Sequence, residues 1–269
     1  MSEILTDVCS ADVPLAIERN GVDCCLAWGE WAGMELGREE HLVWTLTDVP
    51  FAFFNNVFNA RLPEGGIESA IAEATDRFRR RGVPAFWWTG PASEPDDLGR
   101  YLKAAGYQHG FQAAAMAVDL DGVKDTESPA GLLIEEVLDR SALQQWCDVM
   151  APVYEFPDFA REPWLEMLFA VGLGRERPLR HFAARLDGRV VATASLYFGA
   201  GVAGISSVAT LPDYRRRGIG TAITVALVEE SRRAGYRVGT LFASPMGKPM
   251  YERIGFRQYS EGNCYVWAE

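Results

Sequence analysis

The sequence predicts an α/β (α+β) protein of two tandem domains, each a mixed, mostly antiparallel sheet flanked by helices. Three observations predict it. The chain has 269 residues, above the usual length of one domain. Strands alternate with helices through the second half. An internal repeat also lays one half over the other. Ser128-Pro129-Ala130-Gly131 follows an alternating stretch that ends at Asp119, so the domains are set at 1–126 and 131–269.

In the first half a helix begins at Gly65 and carries Ile67, Ala70, Ile71, Ala74 and Phe78 on one face. It ends in Arg79-Arg80-Arg81-Gly82, 17 residues after Gly65. Ala85-Phe86-Trp87-Trp88 is a strand, and a helix closes on Ala105-Gly106-Tyr107. The second half opens with strands at 180–186 and 190–198 around a tight Asp187-Gly188 turn, and a third at 202–210. Ile219, Ala222, Ile223, Ala226 and Leu227 then mark an amphipathic helix ending at Gly235, again 17 residues after its opening Gly218. A strand at 238–243, a short helix at 249–254 and a hairpin of 256–260 with 264–267 around Gly262-Asn263 complete the half.

Composition narrows the function. Hydrophobic residues at 48% and charged residues at 23% exclude a disordered chain. No signal peptide or long apolar run is visible, and five cysteines without CxxC spacing read as reduced thiols, so a cytoplasmic location is expected. The three histidines lack ligand spacing, so no metal is expected, and Cys147 reads as core. A net charge of −11 argues against nucleic acid and anionic membrane as partners. Any anion must therefore meet a local basic site, and Arg215-Arg216-Arg217 is such a site.

That triplet lies in Leu211-Pro212-Asp213-Tyr214-Arg215-Arg216-Arg217-Gly218-Ile219-Gly220-Thr221, which joins a strand to a helix N-terminus. Such a turn collects unpaired backbone N–H groups and the positive end of the helix dipole. Two glycines permit close approach, and the arginines add forked hydrogen bonds. This chemistry suits a diphosphate, although a solvated basic turn has the same composition.

Together with Leu241-Phe242-Ala243-Ser244 and Met250-Tyr251-Glu252-Arg253-Ile254-Gly255-Phe256, the run from Val208 to Phe256 resembles the GCN5-related N-acetyltransferase (GNAT) superfamily. The resemblance implies a tandem arrangement with a degenerate N-terminal copy, with acetyl-CoA (coenzyme A) as acyl donor. It makes Arg215, Gly218 and Gly220 the pyrophosphate grip, with Arg216, Arg217, Ile219 and Thr221 lending backbone amides. Val208, Ala209 and Thr210 would lie along the pantetheine arm where two strands splay. Ser244 stands where asparagine is common, which puts that contact in doubt. Tyr251 matches the tyrosine that protonates the departing thiolate; as a residue type it could equally be packing.

The strand before the loop, Ile205-Ser206-Ser207-Val208, has no acid to serve as general base. Glu155 and Asp158 fall where the resemblance places the acceptor, as direct or water-mediated bases or as solvated loop acids. In the first half, Leu62 stands opposite Arg215 and Glu64 opposite Arg217, so coenzyme A is not expected to bind there in the same way. The aromatic residues Phe51, Phe53, Phe54, Phe58, Phe86, Trp87 and Trp88 are core or a wall of the acceptor cleft. The expected activity is direct acetyl transfer to a small-molecule primary amine by a monomer or homodimer. The alternatives are a non-catalytic acyl-CoA sensor or interaction module and a protein N-acetyltransferase.

Overall fold

The computed structural model describes residues 3–268. The first half runs α1 (Val13–Leu26), β1 (Met34–Arg38), β2 (Val43–Thr47), β3 (Asn56–Phe58), α2 (Ile67–Arg81), β4 (Ala85–Thr89), α3 (Leu98–Ala104) and β5 (Gln108–Asp119). The second runs β6 (Leu133–Glu136), α4 (Arg140–Val153), α5 (Asp158–Val171), β7 (Leu179–Leu186), β8 (Arg189–Gly199), β9 (Val202–Thr210), α6 (Ile219–Arg233), β10 (Val238–Ala243), α7 (Lys248–Ile254) and β11 (Arg257–Trp267). Local chemistry sets most of these bounds. Gly82 at φ +69° turns the chain out of α2, whose last turn places Arg79, Arg80 and Arg81 at the negative end of the helix dipole. Asp187 and Gly188 both take positive φ, 50° and 79°, as a two-residue hairpin requires.

The expected mixed, mostly antiparallel sheet is present, but it is continuous across both halves. Its order is β1-β2-β3-β4-β11-β5-β10-β9-β8-β7-β6. The halves exchange their last strands. β5 of the first lies between β10 and β11 of the second, and β11 of the second lies between β4 and β5 of the first. This exchange corrects the expected final hairpin: residues 257–267 form one strand, with Gly262 opposite Ala113 and Asn263 opposite both Gln112 and Thr89. With a ladder available on both edges, the Gly-Asn pair stays extended.

Each half contains one parallel pair bridged by a helix, β3 with β4 through α2 and β9 with β10 through α6. The α6 helix buries Ile219, Ile223, Leu227 and Val228 against β7, β8 and β9. On another core, α4, α5 and the segment between them bring Trp146, Trp164 and Phe156 against Met34, Val49 and Phe54 of the first half. The buried Arg180 ties three elements together, donating to Glu136 of β6 through Nε at 2.7 Å and to Glu230 of α6 at 2.9 Å. Asn20 of α1 donates to the carbonyls of Tyr197, Gly199 and Val202, fixing the first helix on the second half's strands. Among the described residues, no helix is long and apolar enough to cross a membrane, and no group of three or more His, Cys, Asp or Glu could hold a metal ion.

Candidate active site

The site begins where two parallel strands part. Hydrogen-bonded pairing of β9 with β10 runs from Ala203 opposite Gly239 to Ile205 opposite Leu241 and stops there. Beyond it, β9 continues to Thr210 paired only with β8. An extra residue in β9 re-aims the strand at this point: the register shifts between Ala209 and Ser206, and Ser207 takes φ +53°. Thr193 Oγ1 donates to the Ser207 carbonyl at 3.0 Å and holds the bulge. Val208 then packs toward the α6 core and Ala209 into the α4/α5 core, while the backbone edge of 206–210 faces the opening.

The basic loop leads from this edge into α6. Arg215 Nε donates to the Thr210 carbonyl at 3.1 Å, and an Arg217 guanidinium nitrogen to the Asp213 carbonyl at 2.8 Å. Arg217 also stacks over Tyr214, 5.2 Å from its ring centre. Gly218 adopts φ +79° as the N-cap of α6 and gives the helix no side-chain cap. The first α6 amide with a described backbone acceptor beyond the helix's own ladder is that of Ala222, on Gly218. The amides of 216–221, Ile219 and Thr221 included, thus have no carbonyl partner among the described residues and are available to an anion. A Cβ at Gly220 would stand 3.1 Å from Met250 Sδ, so the methionine side chain would have to give by a few tenths of an ångström to admit one.

Tyr251 of α7 is buried beside Phe256, with ring centres 5.9 Å apart, and has no described hydrogen-bond partner for its hydroxyl. Burial, with Tyr154 nearby, raises its phenol well above the ordinary value, so it stays protonated at neutral pH. Ser244 plays a local part: its hydroxyl accepts the Gly247 amide at 3.2 Å and caps the turn into α7.

The two acids do not converge on the opening. Asp158 is the first residue of α5, where a carboxylate suits the helix dipole; its side chain is 93% exposed and pairs with Arg161 at 3.1 Å. Glu155 is exposed at φ +54°. Its neighbours Tyr154 and Phe156 line the adjacent cavity, and Glu155 does not. Cys147 is core as expected, its thiol pushed up to about 12 by burial.

That cavity, of about 100 Å³, abuts Ser206 and Ser207 at the β9 bulge. Its aromatic wall is Trp28, Phe53, Trp146, Tyr154, Phe156 and Trp164. Phe156 stacks on Trp164 with centres 4.3 Å apart, and Phe53 meets Phe156 edge-on at 4.9 Å. So Phe53 is wall, whereas Phe54, Phe58 and Trp87 are buried core. At the back sits His181 of β7, 2% exposed, with Nδ1 2.8 Å from Ser195 Oγ of β8. Burial lowers its imidazole from 6.5 to about 4, so the ring is neutral. The sequence offers little sign of this residue, because a lone histidine on a strand becomes notable only once its cross-strand neighbour is known.

The equivalent opening in the first half is closed by the chain itself. The Glu94 amide donates to the Ala60 carbonyl and the Leu62 amide to the Glu94 carbonyl, both at 2.9 Å, so residue 94 occupies the edge that stays free on β9. Leu62, opposite Arg215 in the repeat, is buried in the α2 core.

Comparison with known proteins accords with this geometry. Residues 142–256 match the family model of the Acetyltransferase (GNAT) family. A glucosamine 6-phosphate N-acetyltransferase of Trypanosoma brucei brucei is 29% identical over 132 residues, 46% of this chain and 88% of that protein. A GCN5-related N-acetyltransferase from Kribbella flavida superposes with a TM-score of 0.70 at 17% identity, covering 92% of this chain and 95% of its own. A tandem GNAT protein from the clavulanic acid biosynthesis pathway covers 98% of this chain and 97% of its own, with a TM-score of 0.61 and 16% identity. At these identities the two solved structures speak to the fold.

Proposed function

We infer that the chain, whose residues 142–256 match the Acetyltransferase (GNAT) family model, transfers the acetyl group of acetyl-CoA directly to a primary amine of a small molecule. The observation that carries this reading is the junction at Ile205 and Leu241, where the strands part between the amide-rich arginine loop and the aromatic cavity. The loop fits a diphosphate: unpaired amides, exposed arginines and two glycines lie together in a chain of net charge −11.

When bound, acetyl-CoA supplies a thioester; a carbon–nitrogen bond to the amine forms as the carbon–sulfur bond breaks, the amine losing one proton and the sulfur gaining one. Arg215, Arg216 and Arg217 with the amides up to Thr221 hold the diphosphate. The free edge of Val208 to Thr210 orients the arm, and Ser244 acts only through the turn it caps. Tyr251 Oη delivers the proton to sulfur, a task for which its raised pKa keeps it in the acid form. We read the first half, residues 1–126, as a degenerate copy that walls the acceptor cavity through Trp28 and Phe53, and 131–269 as the catalytic domain. A cavity of only about 100 Å³ with an aromatic wall supports a small molecule over a protein chain as acceptor.

Calorimetric titration with acetyl-CoA tests the loop, using an Arg215→Glu, Arg217→Glu variant as control. Binding at micromolar concentration that vanishes in the variant is expected; equal binding by both proteins overturns the loop assignment. Tyr251→Phe is expected to cut turnover by about 10²-fold with little change in acetyl-CoA affinity. Unchanged turnover with an active acceptor removes Tyr251 as the acid.

A further inference from the structure

We infer that the cavity between the two halves takes an apolar, ring-bearing primary amine held through His181 Nε2. This inference names the acceptor class for the transfer proposed above and rests on that reading for the chemistry, though not for the binding. Its first support is an unmet hydrogen bond. His181 Nε2 is fully buried and has no partner, while Nδ1 is engaged by Ser195. Trp28 Nε1, on another side chain of the same cavity, is buried and unpartnered as well. Buried polar atoms left without partners are costly, and two around one cavity point to a polar ligand atom that completes them.

The second support is the absence of charge. No Asp, Glu, Lys or Arg lines the cavity, and both Tyr154 and His181 are neutral there. A phosphate or carboxylate carried into it would be desolvated without a counter-ion. The sugar phosphate named for the trypanosomal relative is therefore a poor match for this wall. An aryl ring with a short arm suits it well: the walls offer ring faces and edges, and the volume of about 100 Å³ is of the order that holds a single ring.

The third support is position. Ser206 and Ser207 belong both to this cavity and to the bulge at which β9 leaves β10, so an amine on His181 shares a chamber with the strand edge expected to hold the thioester. The tautomer with the proton on Nδ1, donated to Ser195 Oγ, leaves the Nε2 lone pair to accept a hydrogen from the amine. His181 is then the group toward which the amine's departing proton points, which accounts for a strand before the loop that carries no carboxylate.

The test is a tryptophan-fluorescence titration of the full chain with 2-phenylethylamine, in the presence of coenzyme A, alongside glucosamine 6-phosphate. Saturable quenching by 2-phenylethylamine and none by the sugar phosphate are expected. His181→Leu should weaken the amine at least about tenfold and Ser195→Ala about threefold, with acetyl-CoA affinity unchanged in both. Melting curves establish that each variant is folded, and Ser195→Ala carries the test if His181→Leu is not. No binding of 2-phenylethylamine, preferential binding of glucosamine 6-phosphate, or wild-type affinity in the folded variants overturns the inference. If 2-phenylethylamine binds as expected yet no coenzyme A is released from acetyl-CoA, the cavity assignment stands and acetyl transfer falls.

Discussion

His181→Asn should flatten the acid limb of the stability profile. The substitution keeps a polar atom near Ser195 Oγ and removes the titrating ring. In the folded chain the imidazole is lowered from 6.5 to about 4 by burial, whereas in the unfolded chain it titrates near its ordinary value. Between those two values the unfolded state binds a proton that the folded state refuses, so stability falls as pH falls. Above the ordinary value both states are neutral and nothing is lost; below the folded value the loss is complete. At about 1.4 kcal/mol per unit, the depression amounts to about 3 kcal/mol. Urea unfolding from about pH 7.5 down to about pH 4, followed by tryptophan fluorescence, measures it in wild type and variant. The gap between the two proteins should shrink by roughly that amount across the window, since other titrating groups are common to both. Parallel profiles would mean that His181 is solvated in the folded chain, and the dry back wall of the cavity would be refuted with it.

Three further outcomes follow from the packing. Arg180→Met leaves Glu136 and Glu230, whose side chains are 8% and 19% exposed, with only the exposed Arg175 and Arg233 as ion-pair partners, and should cost about 1–3 kcal/mol in denaturant unfolding at neutral pH. Residues 127–269 expressed alone should fail to fold, because β11 loses both of its neighbours and β10 loses one; co-expression with 1–126 should restore a soluble complex, and a stable, monomeric C-terminal fragment would contradict the strand exchange. Gly204→Val should destabilise by about 1–3 kcal/mol, as even a Cβ at that position would stand 1.8 Å from Asn20 Oδ1 and displace the side chain that docks α1 on the second half; an unchanged melting temperature would show that α1 can shift freely.

What the sequence by itself determined is local or periodic. The α6 stripe, the Asp187-Gly188 turn and the Gly-capped end of α2 each rest on neighbours a few residues apart, so a one-dimensional pattern suffices. The arginine loop is legible for the same reason, because a helix start and its glycines are contiguous in the chain. Strand partnership over long separations was not legible. The final segment reads as a hairpin by its Gly-Asn pair, and only the ladders offered by β4 and β5, from the other half, keep it straight. The acceptor wall is likewise tertiary, since Trp28, Phe53, Trp146 and Trp164 meet only when the halves dock. His181 shows the limit most sharply. Counting back from the Asp187-Gly188 turn sets it opposite Ala194, but a one-residue bulge between Ala184 and Arg185 moves it to Ser195. A shift of one residue changes which side chain a strand residue faces, and a bulge is decided by packing against the whole sheet, which no local pattern contains.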